Sequence, residues 1–112
     1  MKKLLLVAAL ILSGCVSPQD SGVRVIVGAR LNAGTGQPPI DYSVVVIADG
    51  KFQAVGPQSS TPVPKGAEIV RGSGMTIEPA PGGHPIQAGS NADLVLKNGA
   101  EERVMRAGRW LQ

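Results

Sequence analysis

The sequence predicts an all-β fold, a small β-sandwich or open barrel of about six or seven short strands. Runs of Val, Ile and other apolar residues alternate with polar residues at the two-residue period of strands. Prolines and glycines separate these runs, and helical periodicity is nearly absent. A sandwich or open barrel buries one face of each such strand in a single core.

The first strands are the clearest. Residues 23–31 (VRVIVGARL) alternate apolar and basic side chains, which predicts a strand. Residues 43–56 (SVVVIADGKFQAVG) predict a hairpin, because Asp49-Gly50 is a preferred tight-turn pair. Residues 57–67 contain prolines that exclude a central strand. Residues 68–79 (EIVRGSGMTIEP) predict two short strands around a Gly-Ser-Gly turn.

A loop separates this part from two later strands. Residues 80–90 (APGGHPIQAGS) are rich in Pro and Gly, and they are called the junction loop below. The loop holds His84, the only histidine of the chain. Residues 91–99 (NADLVLKNG) and residues 102–110 (ERVMRAGRW) each predict one further strand.

The N-terminal segment has the organisation of a secretory signal peptide. Lys2 and Lys3 precede an unbroken apolar run from Leu4 to Leu12. As a helix this run would be about 14 Å long, roughly half the ~30 Å hydrocarbon core of a bilayer. The segment is therefore too short to span a membrane and has the length of a signal-peptide apolar region.

The end of this segment, Leu12-Ser13-Gly14-Cys15, resembles the lipobox of bacterial lipoproteins. The resemblance implies cleavage between Gly14 and Cys15, and lipidation of Cys15 as the new N-terminus. The other interpretations are an ordinary signal peptide with a chance cysteine and a buried structural cysteine. Val16, where Asp would be an inner-membrane signal in enteric bacteria, favours the outer membrane. We expect an envelope protein anchored by this lipid and facing the periplasm.

These features divide the chain into a signal peptide (residues 1–14), a lipidated tether (15–22) and a β-domain (23–112). The full chain has a net charge of +3, but without Lys2 and Lys3 nine Lys/Arg face eight Asp/Glu. The remaining charge is +1 and there is no basic cluster. Nucleic acid is therefore excluded as an expected partner.

Several motifs occur in an order that resembles the two ends of amidohydrolases of the imidazolonepropionase type. The matching segments are Asp49-Gly50-Lys51-Phe52, Ala54-Val55-Gly56, Pro64-Lys65-Gly66-Ala67, residues 72–79, residues 89–96 and residues 104–111. The resemblance implies that residues 23–79 and 91–112 fold together as a composite β-sandwich. In that family a metal-dependent barrel on the order of 250 residues lies between the two parts. Here only the junction loop separates them.

The resemblance also implies that the catalytic metal ligands are missing. The family's first metal motif, D-x-H-x-H, follows a Pro-Gly turn, where this chain has only His84 followed by Pro85. A catalytic zinc ion needs about three protein ligands. We expect His84 to be an exposed loop residue, with weak or shared metal binding as the alternative. We expect no catalytic residue, no metal ligand and no cofactor.

Other catalytic arrangements are poorly supported. A Ser-His-Asp set could use His84 and Asp93, but the chain has no nucleophile motif. Glu101 and Glu102 are adjacent on a predicted strand, so their side chains point apart and are expected to be solvated.

Three functions are compatible with these observations. The first is a lipid-anchored, non-catalytic interaction or structural domain derived from an amidohydrolase. A surface left uncovered by the missing barrel would be apolar, and a second copy or an envelope protein would cover it. The second is a subunit of a metal-dependent hydrolase acting on non-peptide carbon-nitrogen bonds, with the barrel on another chain. The third is a decayed remnant.

Overall fold

The computed structural model describes residues 22–111, which include the β-domain except its last residue and exclude Cys15. The prediction of an all-β fold is confirmed, since the described residues contain strands and no helix. Residues 22–111 contain nine strands, more than the six or seven that the sequence predicted. They are β1 (Val23–Val27), β2 (Arg30–Leu31), β3 (Ser43–Ala48), β4 (Lys51–Pro57), β5 (Glu68–Arg71), β6 (Thr76–Pro79), β7 (Leu94–Asn98), β8 (Glu101–Arg106) and β9 (Arg109–Trp110).

The strands form two mixed sheets. Sheet A has the order β4-β3-β1-β5, and sheet B has the order β2-β6-β7-β8-β9. Two pairs are parallel, β1 with β5 and β2 with β6, and the other pairs are antiparallel. The chain therefore passes from sheet A to sheet B twice, side by side, once from β1 to β2 and once from β5 to β6.

Two segments predicted as single strands are each divided in two. Residues 23–31 bend at Gly28, which has a φ of +95°, so that β1 and β2 lie in different sheets. Residues 102–110 turn back at Ala107-Gly108, where both residues have positive φ. The apolar alternation continues on each side of these breaks, so the sequence pattern does not reveal them.

Glycine is required where the two crossing segments pass each other. The Gly72 amide donates to the Val27 carbonyl at 2.7 Å. A Cβ atom on Gly72 would lie 3.0 Å from Ala29 Cβ, and one on Gly28 would lie 2.8 Å from Ser73 Oγ. The bend between the sheets is thus held by close backbone approach.

The main core lies between the two sheets. Phe52 is the largest side chain in it, and Met105 packs there from sheet B. The other buried members are Ile26, Ala29, Leu31, Val45, Ile47, Ile77, Ile86, Ala92, Leu94 and Leu96. All of these side chains are at most 4% exposed, so both sheets contribute to one continuous core.

A second apolar cluster lies on the opposite face of sheet A. Val25, Val44 and Val46 are almost fully buried there, with Ala54 and Ala67 packed against them. Residues 58–67 connect β4 at one edge of the sheet to β5 at the other, so this loop must cross a face. Since Ala67 belongs to the cluster, the loop covers this face. The chain itself thus buries the outer valines of sheet A.

Candidate functional site

His84, the first candidate from the sequence, is an exposed residue of the junction loop, as expected. Within residues 22–111 the structure contains no group of three or more His, Asp or Glu side chains placed to hold a metal ion. Cys15, the expected lipidation site, and Gly14 lie outside the described residues.

The junction loop is an integral part of the sandwich. Ile86 is 1% exposed and belongs to the main core, and its amide donates to the Ala33 carbonyl at 2.8 Å. The Arg106 guanidinium donates to the Pro81 carbonyl at 2.9 Å. The Gly83 amide donates to the Ala80 carbonyl at 2.8 Å. The loop is thereby fixed to the sandwich at Ile86, by side-chain burial and a backbone hydrogen bond, and at Pro81 by the bond from Arg106, while the Gly83–Ala80 bond closes a turn within the loop.

Three of the sequence motifs meet at the end of the sandwich beside the junction loop. The Ala92 amide donates to the Gly50 carbonyl at 2.8 Å, and the Ala92 carbonyl accepts from the Gly108 amide at 3.0 Å. Ala92 thus links the β3–β4 turn of sheet A to the β8–β9 turn of sheet B. The Arg24 guanidinium donates to the Gly108 carbonyl at 3.0 Å. These motif residues hold the two sheets together at this end.

Asp93 has a structural role in the same place. Its side chain is 15% exposed, and Oδ1 accepts a hydrogen bond from the Ala107 amide at 2.7 Å. Its other oxygen lies 4.0 Å from the Arg106 guanidinium. The carboxylate therefore stabilises the β8–β9 turn, where Ala107 and Gly108 both have positive φ.

The paired glutamates have the arrangement expected from the sequence. Glu101 and Glu102 begin β8, where successive side chains point to opposite faces. Glu102 lies 3.9 Å from Lys97 Nζ, which is also 2.9 Å from Glu78. The hydrogen bond that Lys97 donates to Glu78 and the negative charge of Glu78 raise the pKa of Lys97, so this lysine stays protonated throughout the neutral range. The three residues form a solvated cross-strand ion cluster on sheet B.

Tyr42 is a strained and exposed residue that the sequence did not indicate. Its φ is +52°, although it is a bulky residue, and its side chain is 70% exposed. The other two non-glycine residues of residues 22–111 with positive φ, Asp49 and Ala107, lie in two-residue hairpin turns that need it. Hydrogen bonds fix the backbone around Tyr42, because its carbonyl accepts from Gln58 and the next residue, Ser43, donates twice to Ala29.

We expect Tyr42→Asn to stabilise the domain by about 1 kcal/mol, because Asn tolerates the left-handed conformation better than Tyr does. Little packing would be lost, since the ring is mostly exposed. Urea unfolding of both proteins measures the change, with Tyr42→Phe as a control that keeps the strain and should match the wild type. A less stable Tyr42→Asn variant would show that the ring contributes more than its strain costs.

The candidate binding site is a groove where the sandwich opens beside β5, and it is called the β5 groove below. Its volume is about 240 Å³, and Val70, Met75 and Leu96 give it an apolar floor. The other lining residues are Arg71, Asn98, Glu101 and Arg103. The Arg103 guanidinium is stacked 4.2 Å from the centre of the Trp110 ring, which fixes its position.

Sequence reasoning missed this groove because its parts are far apart along the chain. Val70 belongs to sheet A and Leu96 to sheet B, and only the packing of the sheets brings them together. A weak signal was present in residues 68–71, because this segment lacks the regular alternation of apolar and polar side chains that marks a strand with one buried face. Three of the four residues of β5 are exposed, including Ile69.

Comparison with known proteins gives partial similarity only. No family model and no curated protein matches the chain. Among solved structures it is similar to molinate hydrolase, with 28% identity and a TM-score of 0.47. It is also similar to a prolidase-like protein from Bifidobacterium longum, with 21% identity and a TM-score of 0.48. Each alignment covers 54% of this chain but only 13% and 15% of the respective structures, so the chain spans less than a sixth of their length.

In the part of this chain that the structure describes, no helix is long and apolar enough to cross a membrane.

Proposed function

We propose that this chain is a lipid-anchored envelope protein derived from an amidohydrolase, and that its β-sandwich is a binding or structural module without catalytic activity. The observation that carries the proposal is the structure of the junction loop. Where the motif resemblance places the catalytic barrel, the chain instead inserts Ile86 into the core and ties Pro81 to Arg106. At that point the core of the sandwich is filled by a side chain of the junction loop.

The roles of the motif residues support the same conclusion. Asp93 and Ala92 of the motif in residues 89–96 bind the hairpin turns of both sheets. These interactions stabilise the sandwich itself and involve no residue of a barrel. Motifs inherited from an enzyme thus serve here to maintain a fold that can present a binding surface.

The anchor follows from the lipobox and would place the sandwich close to the membrane. The tether, residues 15–22, can extend to about 28 Å at most. It enters β1 at Val23, which pairs with Ala48 beside the β3–β4 turn. The end that contains this turn and the junction loop would therefore be the membrane-proximal end.

Cys15→Ser tests the anchor. Without the thiol no acyl chain can be attached, and the expected result is at least a tenfold decrease in the membrane-bound fraction after envelope fractionation. The wild type is expected to incorporate labelled palmitate, and Ser17→Ala, a neighbouring change, should incorporate the same amount. Equal membrane retention of Cys15→Ser and wild type would contradict the anchor.

Isolation of the acylated protein from native envelopes tests the absence of catalytic activity. We expect the purified complex to contain no stoichiometric zinc and no chain with a hydrolase barrel. A co-purifying barrel chain that binds zinc would instead support the hydrolase-subunit function. The same experiment thus decides between the two leading functions.

A further inference from the structure

Tyr42 lies at the end of the sandwich opposite the β3–β4 turn. Strand β1 begins at Val23 beside that turn and ends at Val27. The next residue, Gly28, donates its amide hydrogen to the carbonyl of Ser43, the neighbour of Tyr42, at 2.8 Å. Since a strand rises by about 3.3 Å per residue, Tyr42 is roughly 16 Å from the turn along sheet A.

Two shallow pockets meet at Asp41 and Tyr42, and this area is called the Tyr42 surface below. Their volumes are about 550 Å³ and about 390 Å³, and both pockets are lined by Asp41 and Tyr42. Ligand sites commonly have volumes of about 300–1,000 Å³. Because the two pockets share these residues, one ligand lying across Tyr42 would occupy both. The first pocket also includes Pro57, Gln58 and Ser59, and the second includes Arg30, Met75 and Thr76.

The backbone holds Tyr42 in its strained conformation from both sides. Ile40 exchanges hydrogen bonds with Leu31 at 2.8 and 2.9 Å. The amide and the hydroxyl of Ser43 both donate to the Ala29 carbonyl, at 3.0 and 2.7 Å. Strain that is fixed in this way is concentrated at functional sites. Because the ring is 70% exposed, packing does not offset its strain, and contact with a ligand would explain a tyrosine here.

The main chain of the Tyr42 surface has little to offer a peptide. The Tyr42 carbonyl already accepts from the Gln58 amide at 3.0 Å, and Pro57 has no amide hydrogen. The Arg30 amide already donates to the Met75 carbonyl at 2.9 Å. Strand addition depends on unpaired main-chain groups. Recognition at this surface therefore depends on side chains.

These side chains favour a neutral and polar ligand. Arg30 and Asp41, the charged residues described in the two pockets, lie 3.8 Å apart, so their charges balance. Asp41, Gln58 and Ser59 supply hydrogen-bond donors and acceptors. The face of the Tyr42 ring is negatively polarised and attracts C–H groups that neighbouring oxygens make positive. A sugar ring has such C–H groups on its faces and hydroxyl groups around its rim, so it matches both features.

We propose that the Tyr42 surface binds a glycan strand of the cell wall, with one sugar ring stacked on Tyr42. The open shape suits an extended chain, whereas pockets for small ligands bury about 70–90% of the ligand surface. The location rests on the proposed function. With the tether at Val23, the Tyr42 end would face away from the membrane, into the periplasm that contains the glycan.

Titration with an N-acetylglucosamine tetramer tests the site. Tyr42 is the only tyrosine and Trp110 the only tryptophan of the chain, so NMR distinguishes their ring signals without ambiguity. The full-length acylated protein is used in micelles of a sugar-free detergent. We expect the Tyr42 signals to shift saturably and those of Trp110, which lies outside both pockets, to stay unchanged. Unchanged Tyr42 signals would overturn the proposal.

Substitutions of Tyr42 test the role of the ring. Tyr42→Asn relieves the strain, so it is expected to fold at least as well as the wild type yet bind the tetramer at least tenfold more weakly. Tyr42→Trp keeps a stacking ring and should remain within threefold of the wild type. Leu111→Asn, which alters a 51% exposed side chain outside both pockets, should bind equally well. The shift of the Gln58 amide measures all three, and undiminished binding by Tyr42→Asn would refute the stacking.

Two further measurements identify the class of ligand. Raising the salt from about 50 to about 500 mM should leave the affinity within twofold, because a neutral ligand is not screened. Asp41→Asn, which keeps a side-chain oxygen, should remain within threefold, whereas a tenfold loss would show recognition of a cation. The protein should co-sediment with peptide-free glycan strands as well as with intact cell wall. Retention on the peptide-bearing wall alone would make the partner a peptide, and either of these results would overturn the proposal.

The titration and the fractionation of Cys15→Ser separate the two proposals. If Cys15→Ser releases the protein from the membrane but the tetramer does not bind, the anchor stands and the Tyr42 surface is wrong. If Cys15→Ser has no effect on location but the tetramer binds, the anchor is wrong and the Tyr42 surface stands.

Discussion

Gly108→Val is expected to destabilise the domain by roughly 3 kcal/mol or more, a large part of the stability of a small domain. The φ of Gly108 is +83°, a conformation that a β-branched residue strongly disfavours. A Cβ atom there would also lie 3.1 Å from the Gly50 Cα atom. The turns of the two sheets would have to separate, which would weaken their link through Ala92 and the hydrogen bond from Arg24.

Gly99→Val is the matched control for this prediction. Gly99 lies in the β7–β8 turn with a φ of +62°, but no atom outside its chain neighbours lies within 4 Å of a Cβ built there. This variant has the backbone strain without the contact, so we expect a loss of about 1–2 kcal/mol. Urea unfolding at neutral pH measures both variants. Equal losses would show that the packing of the two turns contributes nothing beyond strain.

The fold class and the local turns could be predicted from the sequence because they depend on nearby residues. The two β-branched or apolar runs in residues 43–56 and the Asp49-Gly50 pair that joins them are sufficient to indicate the β3–β4 hairpin. The bend at Gly28 could not be recognised, because residues 23–31 form one alternating pattern in the sequence, whereas Val25 packs in the outer cluster of sheet A and Leu31 packs in the main core. A strand pattern specifies the buried face but not the neighbouring strand.

The candidate site was less accessible to sequence analysis for a related reason. The outer valines of sheet A form an apolar face, yet the loop of residues 58–67 covers them. The open surface is instead an edge, and its identity depends on which strands pair. Only the sheet order shows that β5 is an edge and that Val70 and Leu96 line a groove beside it.

Ile86→Ala is expected to lower the free energy of unfolding by about 3 kcal/mol, within the 2–5 kcal/mol range for truncating a buried isoleucine. Ile86 is 1% exposed and packs among core residues of both sheets, so the cavity would lie within the main core. Ile69→Ala is the matched control, since it removes the same atoms from a side chain that is 43% exposed, and we expect a loss of about 0.5 kcal/mol.

The difference between these two isoleucine variants measures how firmly the junction loop is built into the fold. If the loop is part of the core, urea unfolding should show a difference of about 2 kcal/mol or more, and amide exchange of Ile86 should follow global unfolding. The Ile86 amide is well placed for this measurement because it donates to Ala33 at 2.8 Å. Equal stability of the two variants would mean that the loop merely spans a gap. The main observation in favour of a self-sufficient sandwich would then be lost, and a barrel supplied by another chain would become the better explanation of the motifs.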